Sequence, residues 1–235
     1  MFDYTPDEVT AILLSLRVAL WGMAGSLPLA LLTAWVLSRC RFPGKTLVDG
    51  VVYLPLILPP VVTGYLLLLL LGRHGLIGAW LDHRFGIVFA FRWTGAAVAS
   101  AVMGFPLLVQ AIRLSLDAVE RRLEDAARTL GANGAWVFVT VTLPLVLPGI
   151  LTGCILAYAK SLGEFGATIT FVSNIPGQTQ TLPLAIYTFT QVPGGETGAM
   201  RLTLVSVALA LGAMVASGPL SRLISRRVQG RDAGN

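Results

Sequence analysis

Long apolar stretches recur along this chain, and they constrain its fold more than any other feature of the sequence. The clearest stretches are residues 11–38, 51–71, 95–116, 145–158 with a continuation to about 172, and 202–219. The hydrocarbon core of a bilayer is about 30 Å thick and needs roughly 20 mostly apolar helical residues per crossing. Helices are expected because they satisfy their own backbone hydrogen bonds where no water is available. The pattern therefore predicts an all-α integral membrane protein with about five transmembrane helices.

Composition leaves little room for anything besides these helices. The chain of 235 residues is 55% hydrophobic and 12% charged, and its mean hydropathy is +0.76. No linker, low-complexity tract or short internal repeat divides it, so we expect a single transmembrane domain over residues 1–235. The N-terminal residues include Asp3, Asp7 and Glu8 but no Lys or Arg, unlike a secretory signal. The first apolar stretch is therefore expected to remain as a helix.

Lys and Arg residues collect on one side of the predicted helices, and this bias predicts the orientation. Short basic loops are retained in the cytoplasm. If the segment after the third stretch is cytoplasmic, eleven basic residues lie inside and five outside. The inside group is Arg39, Arg41, Lys45, Arg113, Arg121, Arg122, Arg128, Arg222, Arg226, Arg227 and Arg231. The outside group is Arg73, Arg84, Arg92, Lys160 and Arg201, while Arg17 lies a little inside the first stretch. We therefore expect the N-terminus outside and the C-terminus in the cytoplasm.

A short apolar stretch, residues 182–189, precedes the last predicted crossing. It is bounded by Pro183 and by the turn Pro193-Gly194-Gly195, and it is too short to span a bilayer. Two alternatives stay open, a re-entrant segment and an ordinary helix in an outer loop. A further crossing is not expected, because it would place the basic C-terminal tail outside.

The stretch between the third and fourth apolar segments is predicted to hold an amphipathic helix on the cytoplasmic side. Asp117 is expected to cap this helix together with Glu120 three residues later, and Gly131 suits a left-handed exit. A second short helical piece is expected to end at Leu143 and Pro144. The apolar face of the first helix comprises Val119, Leu123, Ala126, Ala127 and Leu130, and its polar residues are Arg121, Arg122, Glu124, Asp125 and Arg128. Such a face binds either a partner groove or the membrane surface, and both alternatives stay open at this point.

Residues 117–144 resemble the EAA loop of type I ABC importer permeases. In that loop Glu-Ala-Ala is followed after three residues by Gly, and after nine more by Ile, one further residue and Leu-Pro, a spacing that this chain matches throughout. The matching positions are Asp125, Ala126, Ala127, Gly131, Val141, Leu143 and Pro144. Asp replaces Glu at position 125, although Glu124 stands directly before it, and Val replaces Ile at position 141. The resemblance implies a type I ABC importer permease bundle whose coupling helix docks in a groove on a cytoplasmic ATPase subunit.

Two further stretches resemble the oxyanion branch of these permeases. They are residues 54–65 (LPLILPPVVTGY) and 161–177 (SLGEFGATITFVSNIPG), and with residues 39–45 (RCRFPGK) they are most similar to the molybdate permeases. Sulfate and thiosulfate permeases share the Gly-Glu-Phe-Gly element at 163–166, so that piece alone leaves sulfate open as an alternative cargo.

The resemblance implies a place and a set of partners for the chain. The place is the bacterial cytoplasmic (inner) membrane, where the chain would carry molybdate, with tungstate as a further candidate, into the cytoplasm. The implied partners are a second copy of the chain, two cytoplasmic ABC ATPase subunits that bind ATP and Mg, a periplasmic oxyanion-binding protein, and membrane lipid.

The chemistry of the two oxyanion-type stretches favours a place in the translocation path. Prolines interrupt the helix near residue 59, which suits either a gate or a structural kink. Glu164 is expected in the fourth span near the outer face, where Lys160 one turn away offers an ion pair. Hydroxyls and glycine backbone either offer neutral donors to an oxyanion or pack helices together. The candidate path residues are Pro59, Pro60, Thr63, Gly163, Glu164, Phe165, Gly166 and Thr168, with Ser161 and Thr170 as further hydroxyls.

Other classes of function are disfavoured. An intramembrane enzyme needs a nucleophile and a base or a set of metal ligands, and His74, Asp82 and His83 do not complete such a set. Cys40 and Cys154 indicate neither a disulfide nor a metal site. A secondary transporter, which commonly has paired broken helices in two halves, remains the nearer rival.

Cofactor and nucleic-acid binding are not expected either. The chain has no phosphate-binding loop of the Gly-x-x-x-x-Gly-Lys-Ser/Thr type, so it is not expected to be an enzyme, and ATP is expected on a partner. The net charge of +5 arises from basic residues at span ends, which set orientation and do not indicate nucleic acid.

Overall fold

The computed structural model describes the backbone of residues 4–229 and, within that range, the side chains of 4–213 and 215. Every regular element in this part of the chain is helical, so the predicted all-α fold is confirmed. The α-helices are α1 (Pro6–Arg39), α2 (Lys45–Ile57), α3 (Pro60–Leu71), α4 (Leu76–Phe85), α5 (Trp93–Ala118), α6 (Arg121–Thr129), α7 (Gly134–Val137), α8 (Leu143–Leu162), α9 (Gly166–Val172), α10 (Leu182–Thr190) and α11 (Glu196–Gln229), and a π-helical turn (Phe138–Thr142) joins α7 to α8.

Helix α1 begins ahead of the apolar stretch that predicted it, because polar residues cap its start. The N–H of Glu8 donates to Thr5 Oγ1, and the N–H of Thr5 donates to Glu8 Oε2, which together form a capping box. Pro6 occupies the first turn, where its missing N–H costs nothing. The Glu8 carboxylate is fully buried and pairs with Arg201 of α11 at 2.8 Å. This pair fastens the start of the first helix to the start of the last.

Helices α1, α5 and α8 form the centre of the bundle. Ala30 and Ala34 of α1 are buried against α5, and Leu108 and Ile112 of α5 and Val146 of α8 complete this part of the core. Small residues allow membrane helices to approach closely. The packed core fixes the ends of the three helices relative to one another. The candidate sites lie at such ends, since the 117–144 loop follows α5 and Glu164 follows α8.

The second predicted span, residues 51–71, is broken. Helices α2 and α3 meet at Leu58 and Pro59 with an angle of 115° between them. Pro59 and Pro60 lack the N–H groups that would continue the hydrogen-bond ladder of α2, so the chain turns there and starts a new helix. A bend this large fits either a broken span or a re-entrant loop.

The fourth span ends earlier than the sequence predicted. Helix α8 ends at Leu162, the next three residues are not helical, and the short α9 begins at Gly166. The prediction of one helix continuing to about 172 is therefore wrong. Gly163 is a poor helix former, and the Glu164 carboxylate accepts the N–H of Ala167 at 3.0 Å, which begins a new helix in place of continuing the old one.

Four segments within the described residues are long and apolar enough to cross a membrane, namely α1, α5, the continuous segment 134–162, and α11 as far as 213. The bent α2–α3 pair adds a fifth if it counts as one span, which agrees with the predicted number. Helix α10 has 9 residues and is too short to cross, as predicted. Its first N–H, on Leu182, donates to Ser15 Oγ of α1 at 2.6 Å, so α10 is attached to the bundle.

Candidate functional site

The 117–144 loop begins later than its sequence signals predicted. Helix α5 stays regular through Ala118, so Asp117 lies in its last turn and does not cap the next helix. Helix α6 starts at Arg121 with Glu120 in the capping position and no side-chain cap. The predicted capping box is therefore wrong. The reason is tertiary packing. The last turns of α5 carry Ile112 and Leu116, which are fully buried in the core and keep this end of the helix regular.

The exit from α6 follows the prediction at Gly131. This residue has a φ of +88°, in the left-handed region that glycine adopts at no steric cost. Its N–H donates to the Arg128 carbonyl at 3.0 Å, and the N–H of Ala132 donates to the Ala127 carbonyl at 3.2 Å. These two bonds form a Schellman motif, which satisfies the last carbonyls of the helix. The left-handed exit predicted at Gly131 is confirmed.

The two acidic residues of the predicted motif point in different directions. Glu124 is mostly buried, with its side chain 13% exposed, and its Oε1 accepts from Arg39 of α1 at 2.8 Å and from the Thr142 hydroxyl at 2.9 Å. Asp125 is 69% exposed and lies 3.9 Å from Arg128 of its own helix. Glu124 therefore attaches α6 to the bundle, while Asp125 faces outward.

The predicted apolar face of α6 is largely exposed. Leu123 is 48% exposed and Leu130 is 89% exposed, and Ala126 between them is also exposed. Ala127 is half-buried, and Val119 lies before the helix and belongs to the core. A helix that buries none of its residues gains almost nothing from packing within this chain. Its exposed leucines are available to a partner.

Leu143 and Pro144 start a long helix, whereas the sequence predicted that they end a short one. The Leu143 N–H donates to the Phe138 carbonyl, five residues back, which makes residues 138–142 a π-helical turn. Such a wide turn accommodates the following proline, which has no N–H of its own to place. The segment from Gly134 to Leu162 is therefore continuous, and the prediction of an end at Pro144 is wrong.

The two stretches predicted to line the translocation path meet in space. A Cβ atom added at Gly166 would lie 2.8 Å from Pro60 Cβ, and one added at Gly64 would lie 2.5 Å from the Ala167 carbonyl oxygen. Helix α3 therefore packs directly on α9, and the break before α3 lies beside the break before α9. Pro59 and Phe165 occupy the positions immediately before these two helices.

Hydroxyl groups near this contact differ in their partners. Thr63 is 5% exposed, and its Oγ1 has no hydrogen-bond partner. Thr168 is also buried, whereas the Thr170 hydroxyl donates to the Gly166 carbonyl at 2.8 Å and so is occupied within its own helix. Ser161 Oγ lies 3.4 Å from the Ser100 carbonyl, and the Ser100 hydroxyl is buried without a partner. Thr63 and Ser100 thus keep unused donors in the bundle.

Glu164 lies in the break between α8 and α9, next to Gly163. Its Oε2 accepts from Lys160 Nζ at 2.7 Å, and its Oε1 accepts the Ala167 N–H at 3.0 Å. Only 1% of the side chain is exposed, against 31% for Lys160. The ion pair predicted from the spacing of one turn is confirmed, and both carboxylate oxygens are engaged by the chain itself.

Sequence reasoning missed a group of contacts at the same end of the bundle as α6. The Ser38 hydroxyl donates to Asp117 Oδ1, and Arg113 donates to Asp49 Oδ1, each at 2.5 Å. Arg113 Nε also lies 3.9 Å from Asp117 Oδ2. One signal in the sequence could have found these contacts. Asp49 and Asp117 stand at span ends that are otherwise rich in arginine, and an acidic residue in such a place is expected to form an ion pair.

No group of three or more His, Cys, Asp and Glu side chains within the described part of the chain is arranged to hold a metal ion. His83 and Asp82 lie in α4, where Asp82 is 3.9 Å from Arg73.

Comparison with known proteins identifies the family. The family described as "Binding-protein-dependent transport system inner membrane component" matches residues 26–232. The chain belongs to this family. Family membership places it in the inner membrane as a multi-pass protein, and the predicted resemblance to ABC permeases is confirmed.

Individual relatives in the family are closely similar. The chain is 59% identical to the molybdenum transport system permease protein ModB of Escherichia coli (strain K12) over 227 residues, 97% of this chain and 99% of the relative. It is 37% identical over 182 residues, 77% of the chain and 65% of the relative, to the sulfate transport system permease protein CysT of the same strain. The predicted resemblance to the molybdate permeases is therefore confirmed.

A solved structure confirms the predicted fold class of an ABC importer permease bundle. The crystal structure of a bacterial alginate ABC transporter in complex with alginate pentasaccharide-bound periplasmic protein matches with a TM-score of 0.74 and 18% identity. The match covers 96% of this chain and 84% of that one.

Proposed function

We propose that this chain is the membrane-spanning permease subunit of an ATP-driven importer of molybdate, with tungstate as a second cargo. The observation that carries the choice of cargo is the 59% identity to a molybdenum permease over 97% of the chain. The similarity to a sulfate permease is lower and covers less of the chain. Sulfate and thiosulfate stand as the alternative cargo.

The coupling role rests on the geometry of the 117–144 loop. Helix α6 exposes Leu123, and Leu130 directly after it is exposed as well, while Glu124, about 100° further round the helix, fixes α6 to α1. A helix that is anchored through one residue and exposes leucines on another face suits insertion into a groove of a partner ATPase. The chain itself would perform no catalysis, and ATP and Mg would bind to the ATPase subunits.

The proposed assembly contains two copies of this chain, each a single permease domain, with two ATPase subunits and a periplasmic oxyanion-binding protein. The N-terminus lies outside and the C-terminus in the cytoplasm, as the distribution of Lys and Arg supports. With this orientation the 117–144 loop faces the ATPase subunits, and the Glu164 region lies toward the periplasm. Membrane lipid surrounds the remaining apolar surface.

The proposed translocation path passes the contact between α3 and α9. Helix breaks allow backbone to line a cavity at membrane depth, and two breaks lie side by side here. The carboxylate of Glu164 is engaged by Lys160 and Ala167, so its role is to shape the path, because a free carboxylate would repel an anion. Neutral donors such as the Thr63 hydroxyl would bind an oxyanion weakly enough to release it. ATP binding and hydrolysis would alternate the bundle between outward-facing and inward-facing states.

The cargo is tested by uptake of radiolabelled molybdate into vesicles that contain the complete transporter, with tungstate and sulfate as competitors. We expect ATP-dependent uptake that tungstate inhibits and that equimolar sulfate leaves unchanged. Inhibition by sulfate with an affinity equal to that of molybdate would favour the sulfate alternative. Uptake that continues without ATP and resists vanadate would instead indicate a secondary transporter.

The coupling role is tested with Ala127→Arg and Gly131→Pro. The first places a long charge beside the proposed groove, and the second cannot adopt the φ of +88° that the helix exit requires. We expect both to lose ATPase-subunit binding in a pull-down and to lose uptake, while membrane insertion is retained. Gly86→Pro is the matched control, because Gly86 is the left-handed residue that ends α4 outside the loop. Normal binding and uptake of Ala127→Arg would overturn the docking assignment.

A further inference from the structure

Two polar contacts begin on neighbouring residues at the end of α1. The Ser38 hydroxyl donates to Asp117 of α5, and Arg39 donates to Glu124 of α6. Because Ser38 and Arg39 are consecutive, a displacement of α6 that pulls on Arg39 also changes the position of Ser38 relative to α5. The last turn of α1 thus connects the coupling helix to the end of α5.

A second connection continues from α5 to the broken span. Arg113 stands one turn before Asp117, with its Nε 3.9 Å from Oδ2 of that residue, and donates to Asp49 of α2. The contacts therefore run without interruption from α6 through α1 and α5 to α2. We call this set the inner network, and its members are Ser38, Arg39, Asp49, Arg113, Asp117, Glu124 and Thr142.

Helix α2 depends on this network for much of its attachment. Val52 is its one buried residue, so little apolar packing holds it against the bundle. The Asp49–Arg113 pair, with side chains 26% and 25% exposed, is shielded enough to interact more strongly than a surface pair. At its other end α2 runs into the 115° bend and α3. A shift of Asp49 would therefore move the helix that leads into the break beside α9.

The Arg39–Glu124 contact leaves one donor of the Arg39 side chain unused. Arg39 uses a terminal nitrogen for Glu124, while its Nε is buried and has no hydrogen-bond partner. A guanidinium and a carboxylate can also pair through two parallel bonds. If α6 moved so that Nε also reached the carboxylate, the contact would have a second arrangement, of the discrete kind that a mechanical switch requires.

We propose that the inner network is the relay through which movement of the coupling helix reaches the broken α2–α3 span. This inference rests on the proposed function, because it assumes that an ATPase subunit moves α6. Arg39 and Arg113 are positioning residues in it, since they hold helices and touch neither cargo nor nucleotide. The plain alternative is that the pairs only neutralise charges at the helix ends.

The test is a double-mutant cycle on the complete transporter in vesicles, with molybdate transported per ATP hydrolysed as the readout. The variants are Arg39→Gln, Asp49→Asn and the two combined. These residues bind different partners, so each substitution breaks the relay at a separate point. For a serial relay, each single variant should lower transport per ATP by about five-fold or more, and the combination should be no worse than the poorer single variant.

Independent effects that multiply in the combined variant would overturn the relay, and so would normal transport per ATP in both single variants. Asp82→Asn is the matched control, because it removes a carboxylate from the exposed Arg73–Asp82 pair and should behave as wild type. If Arg39→Gln fails to assemble, Ser38→Ala replaces it and breaks the same part of the network through a smaller change. The proposed function fails separately, by normal ATPase binding and uptake of Ala127→Arg.

Discussion

Gly64 of α3 lies against the backbone of Ala167 of α9 so closely that a side chain at position 64 would overlap the Ala167 carbonyl oxygen. This contact holds the helix after the first break against the helix after the second. Without a Cβ atom on Gly64 the two backbones touch, and the contact contains no flexible side chain that could yield. The relative position of α3 and α9 is therefore sensitive to a single methyl group.

We predict that Gly64→Ala lowers uptake sharply. The added Cβ would lie 2.5 Å from a backbone oxygen, so α3 and α9 must separate, and overpacking of this kind costs about 1–3 kcal/mol. The measurements are molybdate uptake and the melting temperature of the purified complex. Gly50→Ala is the control, since nothing lies within 4 Å of a Cβ built there. Wild-type uptake and melting temperature for Gly64→Ala would show that the helices do not pack in this way.

At Glu164, removal of the charge and removal of the side chain should have different effects. Glu164→Gln keeps an oxygen for the Ala167 N–H but weakens the contact with Lys160, so assembly should survive while uptake falls more than basal ATP hydrolysis. Glu164→Ala loses both bonds and should fail to assemble, because a buried N–H left without a partner costs about 1–3 kcal/mol. Lys160→Met, which removes the same ion pair from its other side, should be more damaging than Glu164→Gln, because it leaves the buried carboxylate without its cation, whereas Glu164→Gln leaves only the partly exposed Lys160 ammonium unpaired. Normal uptake by Glu164→Gln would assign the residue to packing alone.

Leu130 is expected to bind the ATPase subunit while contributing little to the fold. Because the side chain is 89% exposed, Leu130→Asn should leave the melting temperature of the isolated permease unchanged. Association with the ATPase subunit, measured by pull-down or by titration in detergent, should weaken at least about ten-fold, as expected for the loss of a large apolar contact. Leu76→Asn is the control, since Leu76 is 86% exposed in α4, away from the loop. Equal affinities of Leu130→Asn and Leu76→Asn would contradict this role.

The orientation is tested by labelling single cysteines placed at Asp3 and Arg227 after Cys40 and Cys154 have been replaced by serine. Asp3 and the Arg227 side chain lie outside the part of the chain that the structure describes, so the prediction rests on the distribution of Lys and Arg. An impermeant thiol reagent should label position 3 from the periplasm and position 227 from the cytoplasm. Labelling of both from the same side would overturn the arrangement of five crossings, and would agree with four crossings and a re-entrant α2–α3 pair.

Local signals predicted the parts of this protein that local chemistry determines. Apolar runs predicted the helices that are long enough to cross the membrane. The glycine at position 131 predicted the left-handed end of α6, because few other residues adopt that conformation. The Lys160–Glu164 pair followed from a spacing of one turn. The short length of α10 likewise excluded a crossing.

The errors arose where packing or a distant partner outweighs a local signal. Asp117 has the chemistry of a helix cap, but the buried end of α5 keeps this residue helical. Its carboxylate accepts a hydrogen bond from Ser38, which is far away in sequence. Pro144 resembles a helix end, but a π-helical turn accommodates it. The approach of Pro60 to Gly166 depends on how whole helices pack, which no single stretch of sequence specifies.

Helix α1 has 34 residues, which at 1.5 Å per residue makes it about 51 Å long, against about 30 Å for a hydrocarbon core. Its first turn is fastened to α11 through Glu8 and its last residue to α6 through Arg39. A helix this much longer than the bilayer must tilt or project, and it tilts more where the membrane is thinner. A change of tilt that α6 and α11 do not share would pull on both fastenings, so the thickness of the surrounding lipid would then act as a mechanical load on the transporter.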